Sequence, residues 1–310
     1  MGFVGPRART VRRLWTTALF GIAALAQATA MAQGRSARDY LNAPVNSWLS
    51  FANSNYSTSV TPEDGQDIAS RLRSNVFSQS VILTRTLDFG GRTSGLSAIL
   101  PYVVANASTA GTNLSNNGLS DLGIMVQTNI FGGPALPREK FRFFVPQTFS
   151  SFHFIVLVPT GKYDASNPIN PSSNRFTFYP TLNYSWTPDK GWTWLELYLS
   201  TKFFTTNRNF GSAGTSNLAQ DPLYFAEVHA SRNIVRRLWA SGDAYYNIGG
   251  QTHIDDVHQG NAANTLRLGV GSGLSVWSGG AVIFNYEQIV AKPSGQPTSR
   301  TFRIKIQQFW

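Results

Sequence analysis

Nine ionisable side chains in the second half of the sequence share one property: each stands on the opposite parity to an apolar row. Glu196 and Lys202 alternate against Leu195, Leu197 and Leu199, and Glu227 and His229 against Ala226, Val228 and Ala230. Asp243 is set against Ala240, Ala244 and Tyr246, Arg267 against Leu266, Leu268 and Val270, and Glu287 against Val282, Phe284 and Tyr286. Arg303 and Lys305 alternate with Phe302, Ile304 and Ile306. Mixed acids and bases of this kind can do two things. They can pair across neighbouring strands as packing, or they can line a path for a solute. Both roles require an interior that is shielded from lipid, because a charge facing lipid at the midplane costs about 2–4 kcal/mol. All nine are therefore candidate lumen-lining residues.

Other chemistry finds little footing. The chain has no cysteine, so it carries neither a disulfide nor a thiolate metal site. Gly269-Val270-Gly271-Ser272-Gly273 is glycine-rich, but no helix follows, as a phosphate cradle would need; glycines in a strand more often relieve curvature or open space. His253 and His258 flank Asp255 and Asp256 in a polar stretch that reads as a solvated loop rather than a cation site. His153 lies between Phe152 and Phe154, which points it inward, and the sequence offers no convincing partner serine. There is no G-x-S-x-G and no H-E-x-x-H. The expectation is a protein that is not an enzyme and needs no cofactor and no metal.

The elements that position the nine residues are period-two segments bounded by Gly, Pro, Asn and Asp. Twelve are expected: Ser47–Val60, Leu72–Leu87, Thr93–Ala105, Leu119–Ile130, Phe149–Pro159, Arg175–Trp186, Trp192–Thr205, Leu223–Ile234, Leu238–Ile248, Asn264–Trp277, Ala281–Val290 and Arg300–Trp310. An even number of roughly ten-residue strands with one apolar face predicts an all-β, antiparallel, up-and-down transmembrane barrel. Short connections alternate with long polar ones near Thr61–Arg71, Asn106–Gly118, Gly161–Asn174, Thr206–Pro222, Gly249–Ala263 and Ala291–Ser299. With both ends periplasmic, every one of these long segments faces outward. Phe131–Thr148 breaks the rule, being long, aromatic and basic on the periplasmic side. It reads as a short interfacial helix or as a segment folded into the barrel mouth. Tyr184, Trp186, Trp192, Trp239, Trp277 and Trp310 fall near periplasmic strand ends, where they read as an interfacial girdle.

The two ends fix the compartment. Arg7, Arg9, Arg12 and Arg13 precede an apolar stretch and two small-residue cleavage sites, so residues 1–32 read as a signal peptide and 33–310 as a single barrel domain. Removing four arginines takes the net charge from +10 to 10 − 4 = +6. A basic chain suits the phosphates of lipopolysaccharide, and no nucleic-acid motif accompanies the charge. The last strand, Arg300–Trp310, ends in an aromatic and resembles the sorting signal of outer-membrane barrels. The expected location is the bacterial outer membrane. The expected partners are its lipid and lipopolysaccharide, the barrel-assembly machinery through the C-terminal strand, and a small organic solute.

The mature chain also resembles the family called "Putative MetA-pathway of phenol degradation". The likeness rests on Ala37-Arg38-Asp39-Tyr40-Leu41, Leu100-Pro101-Tyr102, Asn117-Gly118-Leu119-Ser120-Asp121-Leu122, Asn170-Pro171-Ser172-Ser173-Asn174-Arg175 and Asn261-Ala262-Ala263-Asn264-Thr265-Leu266-Arg267. The resemblance implies a porin-like outer-membrane transport barrel linked to aromatic catabolism, with passive diffusion of small organic, hydrophobic aromatic solutes. It supplies no site residues. The competing expectations are a closed structural or surface-interaction barrel and a membrane-embedded hydrolase. A twelve-stranded barrel lies between the eight strands whose interior side chains just fill and the sixteen that leave an aqueous channel.

Overall fold

The computed structural model describes residues 35–61, 72–109 and 112–310. The leader expected over 1–32 and the tip of the first outer loop lie outside the described residues. In chain order the strands are β1 (Trp48–Thr61), β2 (Leu72–Phe89), β3 (Arg92–Thr109), β4 (Thr112–Leu119), β5 (Leu122–Phe131), β6 (Phe149–Val158), β7 (Thr177–Trp186), β8 (Thr193–Phe204) and β9 (Asn207–Phe210). They continue with β10 (Ser216–Gln220), β11 (Leu223–Val235), β12 (Leu238–Gly249), β13 (Thr252–Ile254), β14 (Val257–His258), β15 (Ala263–Trp277), β16 (Gly280–Ala291) and β17 (Thr298–Phe309). One four-residue helix, α1, covers Arg138–Phe141.

The wall runs β1, β2, β3, β4/β5, β6, β7, β8, β11, β12, β15, β16, β17. It closes where β1 pairs antiparallel with β17, from Leu49↔Phe309 to Val60↔Thr298. Closure leaves no sheet edge inside lipid, where unpaired backbone groups would find no water. The chain is thus a twelve-stranded antiparallel outer-membrane barrel. Its strands follow from the alternation: Leu195, Leu197 and Leu199 are exposed on β8, while Trp194, Glu196 and Tyr198 between them are buried. Tight turns need special backbones. Phe89 and Arg92 pair across Gly90 and Gly91, both at positive φ (59° and 77°), the two-residue hairpin that glycine favours. Among the described residues no helix is long and apolar enough to cross a membrane.

Three expectations change. Asn106–Gly118 is mostly strand, because β3 reaches Thr109 and β4 starts at Thr112, pairing Thr109↔Thr112 through Tyr102↔Leu119. Its Asn and Ser content reads as loop, but backbone pairing carries the hairpin outward. β4 and β5 then share one wall position on β3, separated at Ser120 and Asp121. Trp239 leaves the girdle. It has the inward parity of Ser241, Asp243 and Tyr245, and its ring lies over Gly273 of β15, where an added Cβ would meet it at 2.4 Å. The other girdle members, such as Trp186, Trp192 and Trp277, are exposed as expected.

Above the outer rim, two long connections build a second sheet of their own, in the order β14-β13-β10-β9. His253 and His258 pair there across a hairpin, with ring centroids 4.3 Å apart, and His253 Nε2 stands 3.0 Å from Asp221. No group of three or more potential metal ligands forms among the described residues. At the periplasmic rim, Phe131–Thr148 contains α1, which buries no residue, and leaves Phe143 73% exposed. Its first part crosses the mouth: Thr93 Oγ1 donates to Pro134 O (2.8 Å) and Val45 N to Leu136 O (2.9 Å).

Candidate functional site

All nine ionisable residues are buried, from His229 at 0% to Arg267 at 8% exposure. On the β8–β12 side, His229 Nδ1 lies 2.7 Å from Asp243 Oδ1 and its Nε2 is 3.6 Å from Glu227. The rings of Tyr198 and Tyr245 stand edge-on to it at 5.4 and 5.3 Å. Arg267 Nη1 donates to Glu287 Oε1 at 3.0 Å. Lys202 Nζ lies over the rings of Tyr179 and Phe225 at 5.0 and 5.2 Å. Register explains the grouping: Glu196 faces His229 across β8–β11, and His229 faces Asp243 across β11–β12.

What completes these partnerships is a segment the charge pattern did not place. Residues 35–46 run from the middle of the interior to the periplasmic rim. Arg35 donates to both oxygens of Glu227, from its backbone N (2.8 Å) and from Nη1 (2.9 Å). Its Nη2 reaches Thr181 Oγ1 at 2.6 Å. Arg38 donates from its backbone N to Glu196 Oε2 (2.7 Å) and from Nε to Ser231 Oγ (2.9 Å), with its guanidinium 5.1 Å from the Trp239 ring. On the far side Asp39 accepts from Lys305, and Ser36 donates to Asn285, which faces Arg303 across β16–β17. Arg303 itself donates to Asn55 (2.9 Å). Tyr40 stacks on His153 with centroids 3.7 Å apart. The chain is then fastened at the rim, where Thr86 Oγ1 donates to Pro44 O at 2.7 Å. The interior charges therefore hold a strap across the barrel. The Phe131–Thr148 segment packs against this strap from below, where Asn42 donates to Pro134 O and Val45 N to Leu136 O.

The strap does not fill the barrel. Between it and strands β1 to β6 lies a cavity of about 160 Å³. Its wall is mixed: Leu49, Phe51, Ile82, Ile99, Met125 and Ile155 supply an apolar surface, while Asn53, Thr84, Gln127, His153 and the Asp39–Lys305 pair supply a polar one. His153 has a partner serine after all, Ser151 on its own strand, at 2.8 Å from Nε2. Its Nδ1 has no partner among the described residues, so the acid or amide that would orient a catalytic imidazole is missing from this pair.

On the outer side the Gly161–Asn174 connection folds inward against β4 and the break before β5. Asp121, in the break between β4 and β5, accepts from Gly161 N, from Ser172 Oγ and from both the N and Oγ of Ser173. Ser120 Oγ donates to Pro171 O at 2.6 Å, and Asn116 to Ile169 O at 2.7 Å. Ile169, 1% exposed, packs among Val76, Val103, Ala105 and Ala107. Arg175 sits under the Phe204 ring at 4.5 Å and donates to Gln220; burial lowers its pKa to about 10, against the pull of Asp121 and Tyr163. Two motifs distant in sequence thus form one latch.

The comparisons with known proteins bear on this geometry. A family profile matches residues 50–301. The chain belongs to the family described as "Putative MetA-pathway of phenol degradation". Among solved structures it is similar to the COG4313 outer membrane channel from Pseudomonas putida F1, at 16% identity and a TM-score of 0.77, covering 89% of this chain and 100% of that one. It is also similar to the β domain of the Bordetella autotransporter BrkA, at 10% identity and a TM-score of 0.55, covering 85% and 100%. The transport unit of the Escherichia coli autotransporter AIDA-I matches at 11% identity and a TM-score of 0.54, covering 94% and 98%. No curated protein matches. At these identities the shared property is the outer-membrane barrel.

Proposed function

We propose that this barrel carries small, mainly apolar organic solutes, single aromatic rings among them, across the outer membrane by passive diffusion. The observation that carries the reading is the divided interior: the strap crosses it, and beside the strap a cavity of about 160 Å³ with a part-apolar wall is left open. A dry apolar cavity of about 150 Å³ accepts a benzene ring. Met125, Ile99 and Ile155 offer such a surface, and the polar groups beside them suit one hydroxyl or amino substituent. Glu196, Glu227, Arg303 and Lys305 act here by holding the strap, and the other interior ionisable residues by shaping the path, so that an aqueous pore for ions stays narrow. Family membership and the likeness to the P. putida outer membrane channel support the reading. Insertion through recognition of β17 by the assembly machinery belongs to the same proposal. No catalytic step is assigned to it.

The test is uptake of labelled toluene at limiting concentration by cells with and without the gene. Faster uptake with the gene, abolished by Met125→Trp in a barrel that still folds, is the expected result. Equal uptake, or full uptake by the Trp variant, contradicts the proposal. The competing view of a closed structural barrel draws on the strap itself, and it predicts equal uptake throughout.

A further inference from the structure

A second cavity of about 520 Å³ opens on the outer side, above the strap and beside the latch. Its walls include Leu223, Ile289, Pro293 and Pro297, and Asn247 and Arg267 stand at its floor. Residues 292–297 roof it, and Gln296 ties this roof to Ala262 of the neighbouring connection. A volume in this range is ordinary for a small-molecule site with few polar groups in an apolar wall.

Arg267 is the one ionisable side chain among the described residues that line this cavity. It is 8% exposed, and its Nε has no partner among the described residues. Its carboxylate partner does not neutralise it from the cavity side. Arg267 faces Ile289 across β15–β16, while Glu287 faces Gly269, one step nearer the periplasm. Arg267 lines the cavity and Glu287 does not, so the pair presents its positive member there. Among the described residues the lining holds no acidic side chain that would repel an anion. Asn247 sits diagonal to Arg267, since Tyr245 faces Arg267 and Asn247 faces Thr265 across β12–β15, and it offers an amide beside the guanidinium.

We propose that this outer cavity is a binding site for an apolar monocarboxylate, an anion of the benzoate type, whose carboxylate is received by Arg267 and whose body packs on Leu223 and Ile289. A carboxylate suits the site better than a neutral hydroxyl, because a charge-assisted bond to guanidinium is roughly twice as strong as a neutral one. The inference rests on the transport reading and narrows its solute class at the outer mouth.

The experiment is calorimetric titration of the folded barrel in detergent with benzoate and with benzyl alcohol as the uncharged match. Benzoate is expected to bind at least tenfold more tightly than benzyl alcohol. The double variant Arg267→Gln/Glu287→Gln, which leaves no buried charge unpaired, is expected to lose that preference. Ile289→Trp, which fills the cavity without altering charge, is expected to weaken both ligands. No preference in the natural protein, or a preference that survives the double variant, overturns the proposal. A barrel that takes up toluene but shows no preference for benzoate refutes this site alone. One that binds benzoate but does not raise toluene uptake refutes the transport reading alone.

Discussion

Arg35 is the residue on which most of the interior depends. It meets Glu227 from two directions, and Glu227 is only 1% exposed. Removing one partner of a buried pair strands the other, at a cost of about 3–5 kcal/mol. Arg35→Met is therefore expected to lower the unfolding free energy of the bilayer-inserted protein by about that amount. Arg35→Met/Glu227→Gln is expected to recover most of the loss, and equal stability of all three proteins in a urea titration would contradict the pairing. The inward direction of the nine charges was legible in the sequence because parity settles it. Their partners were not, yet a signal existed. Strands β8 to β12 carry Glu196, Glu227 and Asp243 against Lys202 and His229, whereas β17 carries Arg303 and Lys305 with no wall carboxylate opposite them. A segment with Arg35, Arg38 and Asp39 matches both imbalances. Position misled once, at Trp239, whose parity is inward: its place near a strand end invited a girdle reading, but Gly273 made room inside.

At the scale of elements, most strands were legible because they have a lipid-facing apolar row; β1 is the exception, with Ser50, Ser54 and Thr58 in its outward row. What lay beyond the membrane was less so. The β3–β4 hairpin is rich in Asn, Ser and Thr, and the strands of the outer sheet are only two to five residues long, so both read as loop; their pairing depends on neighbours that sequence spacing does not announce. The latch is a case in which two short motifs meet only in the fold. Asp121 gathers four donors from a connection some fifty residues away. Asp121→Ala leaves several of them unsatisfied, each costing about 1–3 kcal/mol where water cannot reach. The expected result is selective loosening: faster amide exchange or proteolysis across Gly161–Asn174, with the β17–β1 closure still protected. Unchanged protection of that connection would show that the carboxylate is not what holds it.

The whole molecule is a barrel whose size leaves the question of openness to whatever enters it. Twelve strands enclose more space than wall side chains fill, and here residues 35–46 cross the interior with one cavity beside them and another on the outer side. The account thus stands on the strap. It is tested most directly by single-channel conductance in a planar bilayer, comparing the natural protein with Arg35→Ala/Arg38→Ala/Asp39→Ala, which removes the three charges that fasten it. The natural barrel is expected to conduct weakly, and the triple variant several-fold more. Equal conductance of the two, in barrels shown to be folded, would contradict a strap held across the interior by these charges.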